Sequence, residues 1–453
     1  MGKYNIEKKS IGYSFLYYLM LPWHNYLYYR NIRILNKQNI PTKGSVIFTP
    51  NHQNALMDAL ALLFNIKKQL VFVARADIFK KKSIASILYF LKILPVYRIR
   101  DGFDSLKNNK ETFDKTADVL KAGNGLVILP EGNHSGSHSL RPLKKGFARI
   151  AFQTEEANDF NLNIQIVPVG IDYNDYHKMR ENLILNFGSA IKVSDYKELY
   201  LSDQPKALNK IREYLSKALS NVMIDIKSKE HYQTYENVRE IYSTIYAKTS
   251  ENNEPELIKK FYSDQKLVEK LYDFETNKPS EFDKLEKKIN EYYLLLKKEK
   301  INKKAFNFWN SNTYKTLFKL IGLLILFPIY LYNLIFNLIP FQTSMASSKI
   351  LKDEQFQSSF KFVVSFLIFP IFYILEILLL YNFIEMPVKW YVFLGSQIIL
   401  APISLWWHKN MGILYQQIII AIKKITRPTI INRLNNMRSS IIKTLNTELL
   451  FKD

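Results

Sequence analysis

The sequence predicts an α/β domain with a mostly parallel β-sheet and flanking helices, followed by a helical insert and C-terminal transmembrane helices. Three observations carry this. Between residues 31 and 200, short runs rich in β-branched and aromatic residues alternate with helical stretches, the pattern of strands joined by crossover helices. The strand runs are almost continuously apolar, as strands covered on both faces are. Three apolar segments near the C-terminus, 320–341, 362–383 and the shorter 390–407, have the composition of helices that cross hydrocarbon.

Each element follows in chain order. After the basic start MGKYNIEKKS, residues 11–29 read IGYSFLYYLMLPWHNYLYY. The run lacks a small-residue cleavage site, so a cleaved signal peptide is not expected, and Ile6 stands where a myristoylation signal needs Ser or Thr. Its Tyr and Trp favour the headgroup zone, so residues 1–30 are expected as an interfacial or re-entrant helix. The α/β domain covers 31–200, with strands at 45–49, 70–74, 93–97, 125–130, 164–172 and 183–188 and helices near 54–66, 82–91, 104–122 and 144–157.

Residues 201–310 change character. They are highly charged and poor in Gly and Pro, and apolar residues recur at three- and four-residue steps, as in ALNKIREYLSKALSNVMIDI. Amphipathic helices are expected, broken at NNEPE and NKPSE. The membrane region covers 311–408. Its first span carries no charge and its second carries one carboxylate, Glu376. Pro328, Pro370 and Pro402 are tolerated there as kinks. The tail 409–453 is basic and amphipathic, and is expected along the membrane surface.

Composition narrows the partners. Of 453 residues 47% are hydrophobic, and the net charge is +22. Such a charge draws a chain to nucleic acid or to lipid headgroups, although richness in Lys, Ile, Asn and Tyr also follows from an A/T-biased genome. With three apolar spans the partner expected is the lipid membrane and not nucleic acid. The absence of cysteine excludes disulfides, thiolate metal sites and a Cys nucleophile.

Four segments fall at the carboxyl ends of predicted strands, where open α/β sheets place ligands. TPNHQNALMDALALL (49–63) sets His52 between a strand and a helix, with Asp58 close behind. ILPVYRIRDG (93–102) puts Arg98 and Arg100 after a strand, where guanidinium groups grip a phosphate in bidentate fashion. LVILPEGNHSGSHSLRPLKKGFARIAF (126–152) turns through Pro130, Glu131 and Gly132. A loop with Ser135, Ser137 and two histidines follows, and Lys144 and Gly146 then open a helix. Small and hydroxyl residues feeding a lysine-bearing helix start suit phosphate binding. IVPVG (166–170) offers no titratable group and is expected as core strand or apolar wall.

Taken together and in this order, NHQNALMD, the apolar-Arg block, PEGNHS…LKKGFARIA and IVPVG resemble the glycerol-3-phosphate and 1-acyl-glycerol-3-phosphate (lysophosphatidate) acyltransferase family. The resemblance covers residues 40–190. That family carries an N-H-x4-D block, whereas here five residues separate His52 from Asp58. On a regular helix neither spacing makes a contact, since the two side chains diverge by about 120–140°. His52 is therefore expected in the loop or first turn.

The resemblance implies an O-acyltransferase moving a fatty acyl group from a thioester, acyl-CoA or acyl carrier protein, to a hydroxyl of glycerol 3-phosphate or lysophosphatidate. It implies His52 as general base and Asp58 as the carboxylate that holds the imidazole. Arg98 and Arg100 would bind the acceptor phosphate, Glu131 and Gly132 would shape its pocket, and Ser135 and Lys144 would add contacts. No cofactor and no metal are implied beyond the thioester co-substrate. The apolar C-terminal spans predict a membrane protein, multi-pass or hairpin-anchored, and the catalytic domain is expected on the cytoplasmic side of a bacterial inner membrane. Another lysolipid or an acylated amino acid is the alternative acceptor. Two readings from other classes stand beside it. One is a metal-dependent hydrolase using His52, His134, His138 and Glu131 or Asp58; the other is a non-enzymatic basic membrane-binding protein.

Overall fold

The computed structural model describes residues 5–97, 109–248, 254–307, 313–351, 353–383 and 388–449. The chain forms two compact units, Met1–Asp225 with Thr343–Leu367, and Ile226–Gln342 with Ile368–Asp453.

The first unit is built on one eight-stranded sheet. Its strands are β1 (Tyr29–Leu35), β2 (Val46–Pro50), β3 (Leu70–Arg75), β4 (Ile93–Val96), β5 (Gly125–Val127), β6 (Gln165–Tyr173), β7 (Glu181–Phe187) and β8 (Ile191–Lys192). They run in the order β1-β7-β6-β2-β5-β3-β4, with β8 also beside β6. Pairing is parallel except for β6 with β7 and β6 with β8. The expected α/β class with a mostly parallel sheet is therefore what the chain forms. Central β2, VIFTP, is buried at every position, because alternate side chains enter different cores. Ile47 and Val71 face a core lined by Phe147, Ile150 and Leu215. Val46, Phe48 and Leu70 face another, lined by Met57, Leu60 and Phe362.

The helices of this unit are α1 (Ile11–Pro22), α2 (Ala55–Leu63), α3 (Lys82–Phe90), α4 (Asn109–Lys121), α5 (Gly146–Glu156), α6 (Lys197–Ser202) and α7 (Gln204–Val222). Three expectations are corrected here. The N-terminal helical stretch ends at Tyr28, and Tyr29–Leu35 is an edge strand parallel to β7. Its exposed Arg30 and Arg33 hid it as loop, and its partner lies some 150 residues downstream. The α/β unit runs on past residue 200 to Asp225. Helix α7 buries Ala207, Ile211, Leu215 and Leu219 at four-residue steps against the sheet, and the Asp203 side chain caps it by accepting from the Lys206 N–H at 3.0 Å. Residues 343–367, expected within the membrane region, also belong to this unit: Phe362 is fully buried beneath the sheet.

The carboxyl end of α7 reaches the sheet at Gly170. A Cβ placed there would lie 1.9 Å from the Val222 carbonyl oxygen, which belongs to backbone and cannot swing aside. Gly170→Ala is therefore expected to lower the melting temperature of detergent-purified protein, at a cost of about 1–3 kcal/mol. An unchanged melting temperature would refute that close packing.

The second unit is helical among its described residues: α8 (Tyr232–Ala247), α9 (Glu256–Asn277), α10 (Pro279–Lys298), α11 (Lys303–Asn307), α12 (Thr313–Ile325), most of α13 (Phe327–Ser348) and α14 (Phe356–Phe383), α15 (Trp390–Thr426) and α16 (Pro428–Leu449). Helix α10 buries Phe282, Leu285, Ile289, Tyr292 and Leu296, the stripe the periodicity predicts. Two helices, α14 and α15, are long and apolar enough to cross a membrane, and only 17% of each apolar window is buried. The segment expected as the first span is a helix pair bent by 56° between Ile325 and Phe327. Pro328 follows the break and lacks the amide that would continue the ladder. The tail also departs from expectation. Helix α15 extends to Thr426, and α16 buries Ile431, Leu434, Ile441 and Leu445 while Glu448 pairs with Lys278 at 2.8 Å.

Candidate active site

At the centre of the sheet β2 ends at Pro50, and the chain must turn into α2. Asn51 makes that turn by imitating a strand: its side chain accepts from the Ile171 N–H at 2.6 Å and donates to the Ile171 carbonyl at 3.1 Å. His52, Gln53 and Asn54 follow as a loop, and Ala55 opens the helix at φ +43°, in the left-handed region an alanine rarely enters. Because His52 lies outside the helix, the angular argument against a contact does not apply to it.

Asp58 sits in the first turn of α2 and is fully buried. Its Oδ2 accepts from the N–H groups of Gln53 and Asn54 at 2.9 and 2.8 Å, amides that the start of a helix leaves without partners. The same oxygen lies 2.9 Å from His52 Nδ1, and Oδ1 accepts from the Tyr173 hydroxyl at 2.7 Å. With Nδ1–H given to Asp58, the Nε2 of His52 carries the imidazole lone pair. The His52 side chain keeps 14% exposure, so a reactant can reach it.

The Pro130–Glu131–Gly132 turn locks onto this loop. Glu131 Oε1 accepts from the His52 N–H at 2.6 Å and Oε2 from the Arg141 N–H at 3.1 Å. The Ser135 N–H donates to the His52 carbonyl at 3.2 Å, and the Lys144 N–H to the Pro130 carbonyl at 2.7 Å. Gly132 has φ +70°, conformation that glycine adopts without strain. Burial pushes the Glu131 carboxyl up to about 8, against the two amide donors, which pull it down. The Ser135 hydroxyl lies 3.2 Å from that of Ser137, and Lys144 is exposed just ahead of α5.

The structure thus brings together His52, Asp58, Glu131 and the loop of Gly132 and Ser135. Arg98 and Arg100 lie outside the described residues. Of the histidines in the alternative metal reading, His134 packs edge-on against the His52 ring with centroids 5.3 Å apart and lies 3.2 Å from Asp353, while His138 lies 3.2 Å from Asp172. Sequence reasoning missed Tyr173, Asn51 and the Arg141 amide. Tyr173 ends an apolar strand 115 residues from its carboxylate partner, and no local pattern marks it.

Residues 31–172 match the family model described as Acyltransferase. Among curated relatives, the glycerol-3-phosphate O-acyltransferase 2 of Saccharomyces cerevisiae is 27% identical over 139 residues, 30% of this chain and 19% of that protein. The 1-acyl-sn-glycerol-3-phosphate acyltransferase of Borreliella burgdorferi is 24% identical over 198 residues, 43% of this chain and 73% of that protein. Its namesake in Bacillus subtilis is 27% identical over 121 residues, 26% of this chain and 56% of that protein. The chain thus spans about a fifth of the yeast relative and about three quarters of the Borreliella one. A crystal structure of the 1-acyl-sn-glycerophosphate acyltransferase of Thermotoga maritima aligns with 47% of this chain and 77% of its own, at 18% identity and a TM-score of 0.33.

Proposed function

We propose that the chain is a membrane-bound O-acyltransferase that acylates a hydroxyl of glycerol 3-phosphate or lysophosphatidate in glycerolipid synthesis. The observation that carries the reading is the His52–Asp58 pair, 2.9 Å apart, inside the segment that matches the family model. An alcohol is a poor nucleophile at neutral pH and needs a base in contact as it attacks. The acceptor O–H passes its proton to His52 Nε2 while its oxygen bonds to the thioester carbonyl carbon. The C–S bond then breaks, and the thiolate leaves with the proton from the imidazolium. Asp58 holds Nδ1–H and offsets the imidazolium charge. No enzyme nucleophile or cofactor takes part; acyl-CoA or acyl carrier protein brings the thioester.

Arg98 and Arg100 are proposed to bind the acceptor phosphate, with Ser135 and Lys144 as further contacts. Glu131 and Gly132 shape the loop that carries them. The domain is proposed to work on the cytoplasmic face of a bacterial inner membrane.

The test is acyl transfer by detergent-purified protein from either thioester to glycerol 3-phosphate, lysophosphatidate and acylated amino acids. Transfer to a phosphate-bearing acceptor is expected. Transfer to acylated amino acids alone would move the acceptor to the alternative, and no transfer to any acceptor would sink the reading. A second expectation concerns attachment. Helices α14 and α15 should keep the protein in the membrane fraction through carbonate and high-salt washing, whereas attachment by basic residues alone is screened over about 8 Å at physiological ionic strength. Release by salt would show these helices to be buried core instead.

A further inference from the structure

We propose that Tyr173 is a positioning residue of the transfer reaction: its hydroxyl fixes the Asp58 carboxylate from the side away from His52, and so keeps the imidazole aimed at the acceptor. The inference rests on the acyl-transfer reading and names a participant that reading does not need.

The four hydrogen bonds to Asp58 are divided unevenly. Oδ2 takes three, from the Gln53 and Asn54 amides and from His52 Nδ1, all within a loop of three residues. Oδ1 takes one, the 2.7 Å bond from Tyr173, and this one comes from elsewhere in the fold. Tyr173 ends the nine-residue β6, where it pairs with Leu183 of β7. It is 2% exposed, and its ring packs on Tyr29 and Tyr176 with centroids 6.2 and 5.6 Å away. Sheet and ring packing thus hold the hydroxyl at one point. Burial keeps this phenol well above its ordinary pKa, so it retains its proton and stays a donor.

The turn after β6 grips the same loop a second time. The Tyr176 hydroxyl donates to Gln53 Oε1 at 2.8 Å, and Asn54 Nδ2 donates to the Tyr176 carbonyl at 3.2 Å. Residues 173–176 therefore act as the template on which 52–54 are laid. Without the Tyr173 hydroxyl, Oδ1 is left buried and unpaired, and the carboxylate gains freedom to rotate about its Cβ–Cγ bond. The imidazole then loses the fixed partner that sets its orientation, at the moment proton transfer to Nε2 makes it depend on that partner most.

Tyr173→Phe removes one oxygen and keeps the ring. Its kcat is expected to fall about ten- to hundredfold, the range for losing a hydrogen bond to a charged group. KM for both substrates should stay within about twofold, because no substrate contact is lost. In the Asp58→Asn background the same substitution should cost less than about twofold further, since Tyr173 acts through that carboxylate. Melting temperatures of all variants are read beside the rates. A Tyr173→Phe protein as fast as wild type overturns the inference. So does a loss that multiplies in full with that of Asp58→Asn, or one explained by unfolding at the assay temperature. If the wild-type protein itself transfers no acyl group, both readings fall; if it does and Tyr173→Phe is unimpaired, only this one does.

Discussion

His52→Ala is expected to lower kcat/KM for acyl transfer by about 10²–10⁴-fold, the range that a positioned general base contributes. The protein should still fold and insert. His52 is a loop residue, and the bonds that shape the loop at this position run through its backbone, from its N–H to Glu131 and to its carbonyl from Ser135. Alanine keeps both. The rate should not return with another acceptor or donor, because proton removal from the attacking hydroxyl is common to all of them. A variant that retains more than a few per cent of the wild-type rate would exclude His52 as base and leave the Nε2 lone pair without a role.

Asp58→Asn is expected to be nearly as damaging, about a hundredfold or more in kcat, by a different route. Three donors converge on Oδ2, so the asparagine must place its oxygen there and its NH₂ toward Tyr173, whose hydroxyl then has to accept. The imidazole keeps its tautomer but loses the negative charge that offsets the imidazolium as the proton moves. KM should change little, and kcat should carry the loss. A harmless Asp58→Asn would mean that the carboxylate serves only to cap α2 and shape the loop.

Much of this arrangement is legible in the sequence alone. Continuous apolar runs separated by helical periodicity could only be strands buried on both faces with crossover helices between them, and that determined the α/β class. The long apolar stretches determined helices long enough for a membrane. The blocks around His52 and Glu131 marked the two loops that the structure stitches together through the His52 N–H and the Ser135 N–H. These features are local: each rests on residues that lie within a few turns of one another.

What the fold alone decided depends on partners far apart along the chain. Tyr29–Leu35 becomes a strand because β7 leaves it an open edge, although its own arginines argue for a loop. Helix α7 joins the sheet because Gly170 lets its last carbonyl approach, and a charged helix by itself does not say which core its apolar stripe will fill. Glu131 could have faced a ligand or a loop; the amides of His52 and Arg141, which its two oxygens accept from, determined that it faces the loop. His52 pairs with Asp58 across five residues in a loop that enters its helix at Ala55 with φ +43°, a backbone state no composition predicts. Tyr173 stands 115 residues from Asp58, and only closure of the sheet brings its hydroxyl to the carboxylate. Apolar periodicity is determined residue by residue, whereas hydrogen bonds between distant loops exist only once the sheet has set where those loops end.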